Sequence, residues 1–154
     1  MQLVFNLGVN NTYMTPKQVA LVRSSWSHVL SVDPEVVGTM FYNRLFEIAP
    51  NLTSMFHRPM PEQSRKLMTI LDHIVEKLDA LEDIIENIVK LSQRHSGYGV
   101  KPEHFADVGE ALLWTLEKNL GRKWNSDVKE AWAMCYITIS SAMLNAAKYI
   151  KLRS

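Results

Sequence analysis

The stretch that decides the fold spans positions 63 to 78 and reads QSRKLMTILDHIVEKL. At about 100° per residue, its apolar side chains fall within a sector roughly 100° wide, as the inner face of an amphipathic α-helix requires. One polar side chain, Gln63, shares that sector, whereas Arg65 and Glu76 point away from it. The predicted inward face consists of Gln63, Leu67, Ile70, Leu71, Ile74 and Leu78.

The rest of the chain repeats this helical period between clear helix starts. Thr15 and Gln18 form a predicted capping box, with Pro16 at the first helical position. Asp33 and Pro34 likewise offer an N-cap followed by proline. Only six glycines and six prolines occur, and the prolines stand where helices begin or turn. The sequence therefore predicts an all-α chain. Four helices are expected at about 16–30, 34–48, 102–121 and 126–150. Two more are expected between them, one that begins at about 60 and one that leads up to 95.

Composition indicates one compact domain of ordinary surface chemistry. The chain has 154 residues, 47% hydrophobic, and a formal net charge of +1 from 17 basic and 16 acidic residues. This balance favours neither nucleic acid nor an anionic membrane as a partner. A lone cysteine, Cys135, excludes an internal disulfide, and no apolar run is long enough to span a bilayer. We expect an N-terminal extension at 1–14, a domain at 15–151 and a cytoplasmic location.

Two further polar side chains stand on apolar helix faces. Tyr42 shares a face with Leu45 and Phe46, one turn after Gly38, where another helix can approach closely. His95 ends a stripe of apolar residues formed by Leu81, Ile84, Ile88 and Leu91.

Each of these polar residues also has a purely structural interpretation. A core or capping histidine, a buried tyrosine and a glutamine reaching the surface along a groove are all common. Nucleotide-binding, zinc-protease and serine-hydrolase motifs are absent from the sequence. Three polar tips on apolar faces nevertheless favour a polar group held in the interior.

The order and spacing of these residues resemble the globin family over roughly residues 15–148. Pro50 and, six residues later, Phe56 are similar to the globin proline and haem-contacting phenylalanine. Trp26 matches a tryptophan of the first helix, and Gly38 faces the small Ser64 at a helix crossing. The resemblance implies a three-on-three helical sandwich, helices A to H, around haem b.

The same resemblance assigns the site. His95 would be the proximal ligand of the haem iron, while Tyr42, Gln63 and Leu67 would lie on the side of the bound gas. Residues implied to contact the cofactor are Phe56, Leu67, Leu91, His95, Val100 and Phe105.

Within the family, the pair Tyr42 and Gln63 is most similar to bacterial single-domain globins of the flavohaemoglobin lineage. The stretch at 108–113 is also similar to neuroglobins. Flavohaemoglobins carry a tyrosine and a glutamate beside the proximal histidine, where this chain has Phe105 and Ala147. The resemblance therefore implies a less strongly donating histidine.

The implied partners are the diatomic gases oxygen, nitric oxide and carbon monoxide. High oxygen affinity with slow release is expected, in oxygen scavenging or nitric oxide detoxification rather than bulk oxygen transport. Three function classes stay open: a gas-binding protein, an enzyme that consumes nitric oxide or reduces nitrite with an external reductase, and a gas sensor. With glutamine at position 63, the iron is expected to be five-coordinate or water-bound.

Overall fold

The computed structural model describes residues 14–80 and 103–153, with side chains described as far as Leu144. In these ranges the chain is helical and contains no strand. The predicted segment leading up to His95 lies outside them. The α-helices are α1 (Pro16–Val29), α2 (Pro34–Ile48), α3 (Met60–Glu76), α4 (His104–Leu120) and α5 (Ser126–Arg153), with short 3-10 helices at Pro50–Met55 and Gly121–Lys123.

The predicted helix starts are confirmed by their capping geometry. The Thr15 hydroxyl accepts a hydrogen bond from the Gln18 backbone N–H at 3.1 Å, and the Gln18 side chain accepts one from the Thr15 N–H at 3.0 Å. The Asp33 carboxylate caps α2 through the Glu35 N–H at 2.9 Å. These bonds satisfy N–H groups that a helix leaves unpaired in its first turn. The last helix, predicted to end at about 150, continues to Arg153, the last described residue.

The core is built from two sets of helix contacts. Helix α1 packs mainly on α5, whereas α2 packs on α3 and α4. Two tryptophans join the first pair, with the rings of Trp26 and Trp132 5.9 Å apart. The Trp132 indole N–H donates to the Ser25 hydroxyl at 2.8 Å, and the Trp26 indole N–H donates to the Asp72 carboxylate at 2.9 Å. These bonds satisfy the polar ends of two large buried rings.

Helices α2 and α3 cross in close contact at Gly38 and Ser64. A Cβ atom added to Gly38 would lie 2.6 Å from the Ser64 Cα atom and closer still to the Ser64 Cβ atom. The Thr39 and Ser64 hydroxyls lie 3.3 Å apart across the same crossing. The prediction that Gly38 admits a neighbouring helix opposite Ser64 is confirmed. This crossing sets the spacing between α2 and α3.

The far end of α3 is held by a side chain from α1. Arg23 donates to the Val75 carbonyl at 3.2 Å, to the Glu76 carbonyl at 2.8 Å and to the Asp79 carboxylate at 3.0 Å. The hydrogen bond and charge of Arg23 lower the pKa of the exposed Asp79 carboxyl below its usual value. Since the last carbonyls of a helix lack intrahelical partners, Arg23 acts as a C-terminal cap. Among the helices of the described ranges, none is long and apolar enough to cross a membrane.

Candidate functional site

Tyr42 lies on the inner face of α2 within a cluster of phenylalanine rings. Its ring meets Phe41 edge-on at 5.0 Å and Phe56 edge-on at 5.2 Å, with Phe46 at 6.0 Å. The residue is only 7% exposed, and burial raises the pKa of its hydroxyl to about 12. Tyr42 therefore keeps its proton at neutral pH and is available as a hydrogen-bond donor.

Gln63 lies in the first turn of α3, next to the Gly38–Ser64 crossing. Its backbone N–H donates to the Pro59 carbonyl at 3.1 Å, and the residue is 7% exposed. The predicted inward orientation is confirmed. Within the described ranges, neither the Gln63 amide nor the Tyr42 hydroxyl donates a hydrogen bond to another residue. Among the described residues, the only fully buried side-chain nitrogen or oxygen without a partner is Arg44 Nε, so the polar ends of Tyr42 and Gln63 border accessible space that suits a polar or polarised ligand.

The other predicted cofactor and ligand contacts fall into two groups. Phe56 follows the 3-10 helix, is half-buried and packs its ring 5.8 Å from Phe46. Leu67 is half-buried one turn after Gln63, and Phe105 is half-buried in the first turn of α4. The predicted Leu91, His95 and Val100 lie outside the described residues, so their contacts stay predictions.

A cavity of about 170 Å³ lies between α3, α4 and α5. Ile70, on the predicted inward face of α3, lines this cavity but is 38% exposed. Ile70 and Leu67 border this space, so neither is fully covered by packed side chains. The remaining lining residues are Phe41, Leu71, Ile74, Val75, His104, Phe105, Val108, Leu112, Trp132, Cys135, Tyr136, Ile139, Ser140 and Met143.

The remaining described histidines and the cysteine occupy varied environments. His57 and His73 are exposed, His28 is half-buried, and His104 is buried at the start of α4. Burial raises the pKa of the Cys135 thiol to about 12, which makes it a poor nucleophile. Among the described residues, no three histidine, cysteine or acidic side chains lie close enough together to hold a metal ion.

Sequence reasoning missed Tyr136, which lies in the middle of α5. Its hydroxyl donates to the backbone carbonyl of Phe105 at 2.6 Å, and burial raises its pKa well above the usual tyrosine value. Gly109 makes room for the ring, because a Cβ atom there would lie 2.7 Å from the Tyr136 Cε2 atom. Gly109 was the only local signal of this contact, and a glycine alone does not identify its partner.

The globin family profile matches residues 39–143, and the chain belongs to the globin family. Membership implies that the protein binds haem and a diatomic gas such as oxygen. Two similar proteins are neuroglobin from Tetraodon nigroviridis, 30% identical, and neuroglobin-1 from Oncorhynchus mykiss, 31% identical. Each alignment covers 144 residues, 84% of this chain and 90% of the relative.

Two solved structures have a similar fold. A bacterial globin from Campylobacter jejuni has a TM-score of 0.78 at 22% identity, over 89% of this chain and 99% of that one. A hexacoordinated haem protein from an anhydrobiotic tardigrade has a TM-score of 0.78 at 15% identity, over 88% and 96% of the two chains. The predicted all-α globin fold is thereby confirmed.

Proposed function

We propose that this globin binds haem b through His95 and holds oxygen on the opposite face with hydrogen bonds from Tyr42 and Gln63. The observation that carries the proposal is the burial of both donors on two helices that cross closely at Gly38 and Ser64. When bound, haem supplies an iron atom that takes up diatomic gases reversibly. The chain's own residues then determine which gas is preferred and how long it stays.

Three half-buried apolar residues fit a flat, largely apolar cofactor. Phe56, Leu67 and Phe105 are each only half-buried, so each retains surface for a contact beyond the described residues. Burying such apolar surface stabilises a complex by about 25 cal/mol per Å². We infer that Phe56 and Leu67 contact haem on the gas side, and that Leu91, Val100 and Phe105 contribute to the rest of the pocket.

Tyr42 is suited to be the stronger of the two donors. Its ring is fixed by three phenylalanine neighbours, so little rotational freedom is lost when the hydroxyl donates a hydrogen bond. Bound haem would place partial negative charge on oxygen but not on carbon monoxide, so a donor at Tyr42 would favour oxygen. One hydrogen bond worth about 1 to 1.5 kcal/mol slows release roughly tenfold.

Slow release suits oxygen scavenging or chemistry on the bound gas better than bulk transport. The enzymatic alternative is oxidation of nitric oxide to nitrate, in which bound dioxygen would supply both added oxygen atoms and an external reductase would supply one electron for each turnover. We also propose that the gas side is open, because residue 63 is glutamine, a poor iron ligand compared with histidine.

The histidine assignment is tested by substituting one histidine at a time. His95→Ala should abolish stable haem binding, seen as loss of the Soret absorption band after purification with added haem. His73→Ala is the matched control, because His73 is exposed on α3, and its Soret band should be unchanged. Normal haem content in His95→Ala would show that another residue holds the iron.

A further inference from the structure

One side of α2 both contacts α3 and carries the donor Tyr42. Residues three and four apart lie on the same side of a helix, and four residues of α2 have this spacing. They are Glu35, Gly38, Thr39 and Tyr42. The first three contact α3 or bond to it, and the fourth is the proposed hydrogen-bond donor to the gas. The position of α3 relative to Tyr42 is therefore set along this one side of α2.

Two polar contacts join this side of α2 to consecutive residues of α3. The Thr39 and Ser64 hydroxyl oxygens lie 3.3 Å apart, and Ser64 is fully buried. The Arg65 guanidinium donates to the Glu35 carboxylate at 2.7 Å. Because these α3 residues directly follow Gln63 in the sequence, both contacts constrain the turn of α3 in which Gln63 lies.

The buried hydroxyl pair constrains α3 more strongly than the ion pair does. The side chains of Arg65 and Glu35 are 55% and 45% exposed, and an exposed ion pair contributes little to stability. A buried hydroxyl that loses its partner is costly, so Ser64 keeps its orientation towards Thr39. Pro59, at the N-cap position of α3, has no side-chain group that could accept a hydrogen bond from the first turn. Among the described residues, the hydroxyl pair is therefore the stronger of the two polar ties between α2 and the start of α3.

We propose that Thr39 is a positioning residue for oxygen selectivity, because its hydrogen bond with Ser64 sets the rotation of α3 that aims the Gln63 amide at the bound gas. Packing at Gly38 fixes how closely the two helices approach. A hydroxyl pair is directional, so it also restricts rotation of α3 about its own axis. Gln63 directly precedes Ser64, so such a rotation would move its amide. The inference rests on the proposed gas-binding function and extends it to a residue that does not itself touch the gas.

Oxygen release from the haem-loaded protein tests this role. Thr39→Val keeps the shape of the side chain and removes its hydroxyl, so Ser64 has to turn towards a main-chain carbonyl of α3. The oxygen dissociation rate constant should then rise about two- to fivefold. Thr39→Ser keeps the hydroxyl and should restore the parent value. Thr69→Val is the matched control, because the Thr69 hydroxyl bonds within α3, to the Arg65 carbonyl at 2.9 Å, and its rate constant should be unchanged.

The infrared band of the C–O stretch in the carbon monoxide complex gives a readout independent of rates. The frequency of this band depends on the electrostatic field of nearby hydrogen-bond donors. Thr39→Val should shift and broaden the band, whereas Thr39→Ser and Thr69→Val should leave it unchanged. If Thr39→Ser changes the band and the release rate as much as Thr39→Val, the hydroxyl is not what matters, and the inference is overturned.

A loss of stability is separated from a loss of position by removing both hydroxyls. Thr39→Val combined with Ser64→Ala leaves no unpaired buried hydroxyl at the crossing, so its free energy of unfolding should be closer to that of the parent than in Thr39→Val alone. Oxygen release should nevertheless stay faster than in the parent. Release at the parent rate in this double variant would overturn the positioning role.

A double-mutant cycle with Gln63→Leu shows whether Thr39 acts through Gln63. If it does, Thr39→Val should have no further effect on oxygen release in the Gln63→Leu protein. An equal effect in both backgrounds overturns the inference, and so does an unchanged rate constant in Thr39→Val alone. In either event the proposed function still stands if Gln63→Leu or Tyr42→Phe speeds oxygen release. If neither variant does, the proposed function itself is overturned.

Discussion

Glycine allows a close approach at two places in this molecule, with different neighbours. At Gly38, the space of a side chain is taken by the main chain of α3 at Ser64. At Gly109, the same space is taken by the edge of the Tyr136 ring. A main-chain neighbour can move only with its whole helix, whereas a ring can rotate alone. The α2–α3 crossing is therefore rigid, and the α4–α5 contact is adjustable.

This difference matches what the proposed function requires of the α2–α3 region. The α2–α3 region holds two donors, Tyr42 and Gln63, whose positions must be fixed to recognise a ligand. The α4–α5 region borders the cavity, and its close contact is made by the edge of one aromatic ring. Fixed donors and an adjustable ring thus lie on different helix pairs.

The largest expected effect is the loss of stability in Gly38→Ala. The added methyl group overlaps the Ser64 main chain, so α2 and α3 must separate, and we expect the free energy of unfolding to fall by about 3 kcal/mol or more. Gly109→Ala should lower it by only about 1 kcal/mol, because the Tyr136 ring can shift. Urea titration of both variants measures the difference. Equal losses would remove the contrast between the two crossings.

Alkaline pH should weaken the fold through groups in both regions. Burial raises the pKa of Tyr42 from 10.0 to about 12, so between these values the folded state keeps a proton that the unfolded state loses. Stability therefore falls as pH rises through this window, by about 2 to 3 kcal/mol from Tyr42. Cys135 acts in the same direction from pH 9.0 upward.

Urea titrations at pH 8, 10 and 11 measure this decline. Tyr42→Phe removes the titrating hydroxyl and should make the decline between pH 10 and 11 shallower. A decline of unchanged slope in that variant would show that Tyr42 does not titrate with a raised pKa.

A smaller effect should distinguish packed core from cavity wall. Val37 is 3% exposed in the core, so Val37→Ile adds a methyl group without space and should lower the free energy of unfolding by about 1 kcal/mol. Val108 borders the cavity, and Val108→Ile should change it by less than about 0.5 kcal/mol. Thermal or urea unfolding compares the two. A larger loss at Val108 would mean that the cavity does not accept added volume.

Local signals in the sequence predicted most of the described fold. The capping residues Thr15 and Asp33 placed the starts of α1 and α2, and Gly121, with φ of +54°, marks the end of α4 as expected. Each signal depends on neighbours along the chain. The exposure of Ile70 could not be predicted in this way, because helical period shows which face is apolar but not whether side chains fill the space opposite.

The site was predictable where periodicity and family resemblance agreed. Tyr42 and Gln63 are buried as expected, and Gly38 meets Ser64. Tyr136 was missed because its partner is a backbone carbonyl 31 positions earlier, and any residue type supplies such an acceptor. The domain limits and the contacts of His95 stay predictions.

The central claim is that Tyr42 donates a hydrogen bond to the bound gas, and the oxygen dissociation rate constant of Tyr42→Phe tests it most directly. The substitution removes one hydroxyl and keeps the ring among Phe41, Phe46 and Phe56. Stopped-flow mixing of the oxygenated protein with excess carbon monoxide should show release several-fold to about tenfold faster than in the parent. An unchanged rate constant, with haem content intact, would contradict the account.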